Sequence, residues 1–258
     1  SAPEADIVFC TPAIDAGDPS RSSQLTWQKL LGQLVVRVGE RGFQRVYARV
    51  VDGAPELEVF WQLGFSAYAR ERVYLRSGPS GAANPERPKL WKPQRSRDIW
   101  GIGQLYTAVT PKLVQQAENL PRSDYLAPYR DGFGRGVDRR YVWADSNEPS
   151  ASLRLIRGRA GCWLKLITHP RVFERVDELL QDALRLVPAD AQQTYVSVRE
   201  YQSELEGAIL AARFAWIATE MLMVKHTTVL VKQRVLKKIA AMEGIEVRPT
   251  ASSTRMTK

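Results

Sequence analysis

Shifted by 149 positions, this chain matches itself over a long stretch without a gap. Leu30 and Leu31 fall on Leu179 and Leu180, Val38 on Val187, Phe65 on Phe214, Ala69 on Ala218 and Glu71 on Glu220. Identities are few, but the physical pattern is kept. A helical period comes first in each copy: Leu30, Leu31, Leu34, Val35 and Val38, then Val176, Leu179, Leu180, Ala183, Leu184 and Val187. A β-rich run follows at 43–51 and 195–200, a second helix at 55–63 and 203–213, and an alternating strand at 66–75 and 216–224. Upstream, 7–12 (IVFCTP) lies on 165–170 (KLITHP) at a shift of 158, the difference being a longer loop at 13–21. Both of those strands end in proline, as suits a strand that gives way to a loop. A repeated strand–helix–strand–helix–strand unit predicts a tandem α/β chain.

The copies are unequal. The second has further residues ahead of its first strand, with a helical segment at 98–118 and strands expected at 141–144 and 151–157. Residues 79–97, rich in Pro, Gly, Ser and basic side chains, read as a linker. The expected organisation is an incomplete first domain at 1–78, the linker, a second domain at 98–233, and a basic helix with a tail at 234–258; helical character is expected from Lys232 to Glu243. The hydrophobic and charged shares, 44% and 25%, are those of a globular chain. No apolar run is long enough to span a bilayer, and the opening residues do not resemble a signal peptide. Cys10 and Cys162 sit in apolar runs, read as buried thiols or as a disulfide pair; thiols fit the cytoplasm.

The segment 56–65 (ELEVFWQLGF) with the strand SAYARERVYL resembles the second half of a GNAT N-acyltransferase domain, where a helix ends in Gly-Phe and a strand returns. Phe214 and the strand after it repeat this, with Arg213 in the glycine's place, and the THP before the helix at 171–186 is also similar to the family. The resemblance covers most of 5–77 and 98–231. It implies two GNAT-like units of α/β (α+β) class, with mixed, mostly antiparallel sheets and helices on both faces, the first unit incomplete. It further implies acyl transfer from acetyl-CoA or another acyl-CoA to an amine. The contrasting expectation is a catalytically silent tandem module that binds protein or nucleic acid.

In the family a glycine-rich turn at the first core helix holds the cofactor pyrophosphate through backbone N–H groups. The corresponding residues here are 21–26 and 171–176, and neither stretch has a glycine. Arg21, Ser22, Ser23 and Thr26 are the candidate cofactor contacts, whereas Phe173 and Glu174 stand where a cofactor would lie in the second copy. The family's proton-donating tyrosine is replaced by Phe60 and Ile209. Candidate catalytic groups are therefore Tyr201, Glu200 and His169, the last read as a general base or a loop cap. The run Val198-Arg199-Glu200-Tyr201-Gln202 ends an apolar strand, which suits an internal ion pair or a pocket wall. His226 reads as a strand-end polar residue or a site residue, and no Cys/His spacing suggests a metal. The glycine-rich stretch 131–140 lacks a Walker pattern and reads as a loop. With a net charge of +9, the basic blocks at 70–97 and 225–238 suit an anionic partner, nucleic acid included, or a solvated face.

Overall fold

The computed structural model describes residues 4–7, 21–78, 89–119, 137–145, 148–158 and 161–227. The strands are β1 (Glu4–Ile7), β2 (Arg45–Val51), β3 (Ser66–Ser77), β4 (Lys92–Pro93), β5 (Val137–Asp145), β6 (Glu148–Arg157), β7 (Cys162–Thr168), β8 (Gln193–Arg199) and β9 (Ala215–His226). The helices are α1 (Arg21–Glu40), α2 (Glu56–Gln62), α3 (Ile99–Val109), α4 (Lys112–Glu118), α5 (Val176–Leu184) and α6 (Glu206–Ala211). All described strands join one mixed sheet in the order β1-β2-β9-β3-β8-β7-β6-β5-β4. Two sheets were expected from the sequence; there is one.

The cause lies in the two long strands. β9 enters between β2 and β3, while β3 lies between β9 and β8, so the last strand of each sequence copy pairs with the penultimate strand of the other. Along the β3–β9 ladder Ser66 faces Val224, Glu71 faces Glu220 and Leu75 faces Ala215, a set that maps onto itself under a shift of 149. The ladder's two irregularities, at Tyr68 and Ile217, are exchanged by the same shift. The shift does not hold throughout. Glu220 faces Val51 whereas Glu71 faces Arg199, so β2 and β8 correspond at 148. Upstream the parallel β1–β2 and β7–β8 registers then place Ile7 opposite in role to Leu164 rather than Lys165, a shift of 157 instead of 158. Burial enforces the difference. Val46, Ala48 and Val50 must face α1 just as Val196 and Val198 face α5, and a one-residue slip would turn every side chain over.

One face carries α1, α2, α5 and α6 over two apolar cores. Trp27 and Leu31 of α1 pack with Val46, Ala48, Phe60, Phe65 and Met223; Leu179 and Leu180 of α5 pack with Leu153, Leu164, Val196 and Ile209. The opposite face receives α3 and α4: Tyr47, alternating with the core valines, donates its hydroxyl to the Ala117 carbonyl at 2.8 Å. Pro111 separates α3 from α4 within the single helical segment expected at 98–118. The end of the expected linker is built into the fold. Trp91 is buried, its ring N–H donates to the Leu179 carbonyl, and Asp182 accepts from the Leu90 and Trp91 amides. Residues 232–243, 131–136 and Cys10 lie outside the described residues; Cys162 is buried and its thiol is pushed up by burial.

Candidate functional site

The parallel strands β7 and β8 pair only from Cys162/Thr194 to Lys165/Ser197, although β7 runs on to Thr168 and β8 to Arg199. Their C-terminal ends part, which is where an open α/β sheet exposes a crevice. On the helix side that opening is filled. Leu166, Val176, Leu180, Val196, Leu205 and Ile209 line a cavity of about 10 Å³, room for one water at most and lined by carbon alone. Two buried polar atoms near these strand ends, Thr168 Oγ1 and Gln202 Nε2, lack a protein hydrogen-bond partner.

The segment between β7 and α5 is a tight turn, Pro170–Arg175, before the helix proper. His169 caps it: its Nδ1 accepts from the Arg171 amide at 3.2 Å and its carbonyl accepts from the Val172 amide at 3.0 Å. Two N–H groups that could meet a phosphate are thereby engaged. Val172 is buried, Phe173 leans on the core, and α5 opens with Asp177 and Glu178 in its first turn. Acidic side chains at a helix N-terminus oppose an incoming anion. The residues around the second turn therefore do not fit the pyrophosphate and pantetheine of an acyl-CoA. In the first copy, Arg21, Ser22, Ser23 and Thr26 all lie in the opening turns of α1, which has no acidic residue in its first turn. Ser23 and Thr26 already have interactions within the protein, and the side chains of Arg21 and Ser22 lie outside the described residues.

The candidate catalytic groups are tied to different partners. His169 is spent as a cap, Glu200 is exposed, and Tyr201 is hydrogen-bonded to the Thr110 side chain on the α3–α4 side, with burial raising its pKa. Phe60 and Ile209 are both core residues. His226 ends β9 opposite Arg45 as a strand-end residue.

What the sheet does assemble is a charged stripe beneath α4. Glu71, 2% exposed, accepts from Arg49 at 2.7 Å, and its other oxygen lies 3.5 Å from Arg199 Nε. Arg49 also reaches Glu220 at 3.3 Å, and Arg199 donates to Glu118 at 2.9 Å, which in turn accepts from Tyr106. Burial by itself would raise the Glu71 pKa; Arg199, Arg49 and Lys165 outweigh it and hold the carboxyl well below the usual range. Burial, reinforced by repulsion from Arg49, brings Lys165 down to about 8. Of this stripe only Arg199 was singled out from sequence, and the internal ion pair is the alternative it adopts. Arg49 and Lys165 each interrupt an apolar strand with a charge, the signal that marks them, whereas Glu71 stands between Arg70 and Arg72 and carries no such mark.

No family model matches the sequence, and no curated protein matches it. Among solved structures, a functionally unknown conserved protein from Staphylococcus epidermidis is similar at 12% identity, over 79% of this chain and 81% of that one, with a TM-score of 0.56. A putative acetyltransferase of the GNAT family from Novosphingobium aromaticivorans is similar at 12% identity over 78% and 81%, TM-score 0.49. An N-myristoyltransferase of Saccharomyces cerevisiae with bound myristoyl-CoA is similar at 12% over 79% and 58%, TM-score 0.46. At this identity the likeness to the Staphylococcus epidermidis protein is one of fold alone. Among the described residues no helix is long and apolar enough to cross a membrane.

Proposed function

We propose that this chain is a pair of GNAT-type units with exchanged last strands, of which the second has traded its cofactor cleft for packed core and serves as a binding or assembly module. The filled opening between β7 and β8 carries the proposal. A pantetheine arm entering there must displace Leu205 and Ile209, each buried to within 2%. The capped turn before α5 and the acidic residues in its first turn point the same way, since they disfavour the pyrophosphate. The partner class favoured by a net charge of +9 is an anionic macromolecule such as nucleic acid.

A second reading keeps catalysis, with acyl transfer from an acyl-CoA to an amine and the cofactor held by Arg21, Ser22, Ser23 and Thr26. The absence of an acidic residue in the first turn of α1 favours it over any site in the second unit. Calorimetric titration of the full chain with acetyl-CoA separates the two. The module reading expects no saturation below millimolar ligand. Micromolar binding abolished by Ser23→Glu establishes the second reading, and micromolar binding abolished instead by Leu205→Trp shows that the β7–β8 opening admits cofactor after all.

A further inference from the structure

The sheet face that receives α3 and α4 also carries a row of like charges. α3 covers this face at the start of β6, where Gly101 abuts the Pro149 ring, and α4 covers it at Arg199, which donates to Glu118. Farther along β6 the same face turns cationic. Arg140 of β5, Arg154 of β6 and Lys165 of β7 stand side by side in register. Like charges directly opposite on one sheet face are destabilising. Asp138, nearly buried, answers both arginines, at 3.0 Å from Arg154 and 3.7 Å from Arg140. Lys165 has no such answer. Among the described residues its ammonium forms no ion pair, and Glu71, the anion that acts on it, is already shared by Arg49 and Arg199. Lys165 thus adds an uncompensated charge beside two arginines, a cost that an anion laid across the row would remove.

The next rung of the same face is apolar and aromatic. Ile156 of β6, Trp163 of β7 and Tyr195 of β8 are in register, and each is half-buried. The Trp163 and Tyr195 rings stack with centroids 5.3 Å apart and planes 16° from parallel. Their polar atoms are used within the sheet: the Trp163 ring N–H donates to the Ser197 hydroxyl, and the Tyr195 hydroxyl donates to the Gln193 side chain. What the pair offers a ligand is ring surface.

We propose that this face binds single-stranded nucleic acid, with Arg140, Arg154 and Lys165 on the phosphates and Trp163 and Tyr195 against the bases. The inference rests on the module reading above and gives it a surface. Cations on three adjacent strands span about 10 Å, wider than a single phosphate, which favours a strand over a mononucleotide. Bases must be free to stack, and a duplex hides their faces. Stacking reads no base edge, so the site tolerates many sequences. None of these residues belongs to the basic blocks at 70–97 and 225–238.

Fluorescence anisotropy of labelled oligothymidylate and oligouridylate of about 12 nucleotides, titrated with the full chain at low salt, tests this. Lys165→Met is expected to weaken binding about tenfold and to flatten the log–log salt dependence by about 0.7. Tyr195→Leu is expected to weaken it about tenfold or more with the salt dependence unchanged, and urea unfolding checks that both variants are folded. Binding that both variants leave intact, but that Arg95→Glu with Arg97→Glu abolishes, keeps the module reading and overturns this face as its site. A duplex, thymidine monophosphate or poly-glutamate bound as tightly as the single strands overturns the inference equally. No binding of any of these at low salt overturns it together with the nucleic-acid partner of the module reading.

Discussion

Replacing Glu71 by glutamine isolates the charge at the centre of the sheet. The substitution keeps the shape and leaves Arg49 and Arg199 without their shared carboxylate. Breaking a buried pair from one side costs about 3–5 kcal/mol, because the remaining charge is stranded. Arg49 is 39% exposed at its side chain and can regain water, and Arg199 retains Glu118, so the expected loss is about 2–4 kcal/mol. For a chain of this size that is a fall of roughly 5–15 °C in Tm. The effect has a pH signature. The folded carboxyl titrates below its unfolded value, so its contribution is complete above the unfolded pKa of about 4.3 and fades as pH falls from there toward the folded value. Urea unfolding of Glu71→Gln beside the unmodified chain, at pH 7 and at several points down to pH 3, is the assay. The gap between the two is expected to be constant from pH 7 to about pH 5 and to narrow below. A gap under about 1 kcal/mol at pH 7, or one equally wide at pH 3, would refute the reasoning.

Lys165 gives the opposite sign. Its folded pKa is depressed to about 8, so the charged form is penalised in the fold at neutral pH and the penalty disappears as pH rises toward 10.5. Lys165→Met is therefore expected to stabilise by about 1–3 kcal/mol at pH 7 and by nothing near pH 10.5, read from unfolding curves across that range; no gain at pH 7 contradicts it. Arg213 ends α6 at φ 62°, where Gly64 ends α2 at φ 75°. Arg213→Gly is expected to raise stability by about 0.5–1 kcal/mol in the same assay, since only the residue without a Cβ adopts that conformation freely; a loss would show that the arginine side chain has a compensating contact.

The helices and strands were legible because their burial follows simple periods. Leu31, Val35 and Val38, and again Val176, Leu180, Leu184 and Val187, declare one helical face each, although Leu30 and Leu34, read in the same period, stay half-exposed and the buried Trp27 was missed; Val46, Ala48 and Val50 declare one face of a strand. Neighbour order was not legible. Alternation states which side of a sheet a residue faces, never which strand lies beside it, so Glu71 opposite Arg199 and Glu220 cannot be read from β3 alone. The one-residue slip at β2 was hidden for a related reason: aligned apolar letters outweighed parity in so short a run. Trp91 and β4 were concealed by prolines and basic residues that resemble a linker. At the candidate site, the absence of glycine from both turns was visible in the letters. That His169 closes the second turn and that Leu205 and Ile209 fill the opening required the packed chain.

The placement of β9 has a consequence for synthesis on the ribosome. β2 is complete once residue 51 has been made, yet its antiparallel neighbour spans 215–226. Through the intervening translation, at roughly 5–20 residues per second, an unpaired strand edge and the apolar faces of Val46, Ala48 and Val50 await a partner for about ten seconds or more. Early β3 has the same difficulty, since both its neighbours, β8 and β9, lie more than a hundred residues downstream. A nascent chain of this kind is an aggregation hazard for most of its elongation and a natural client for a holding chaperone. Once closed, neither half can leave without unzipping the other, and the same exchange that delays folding makes the finished sheet slow to open.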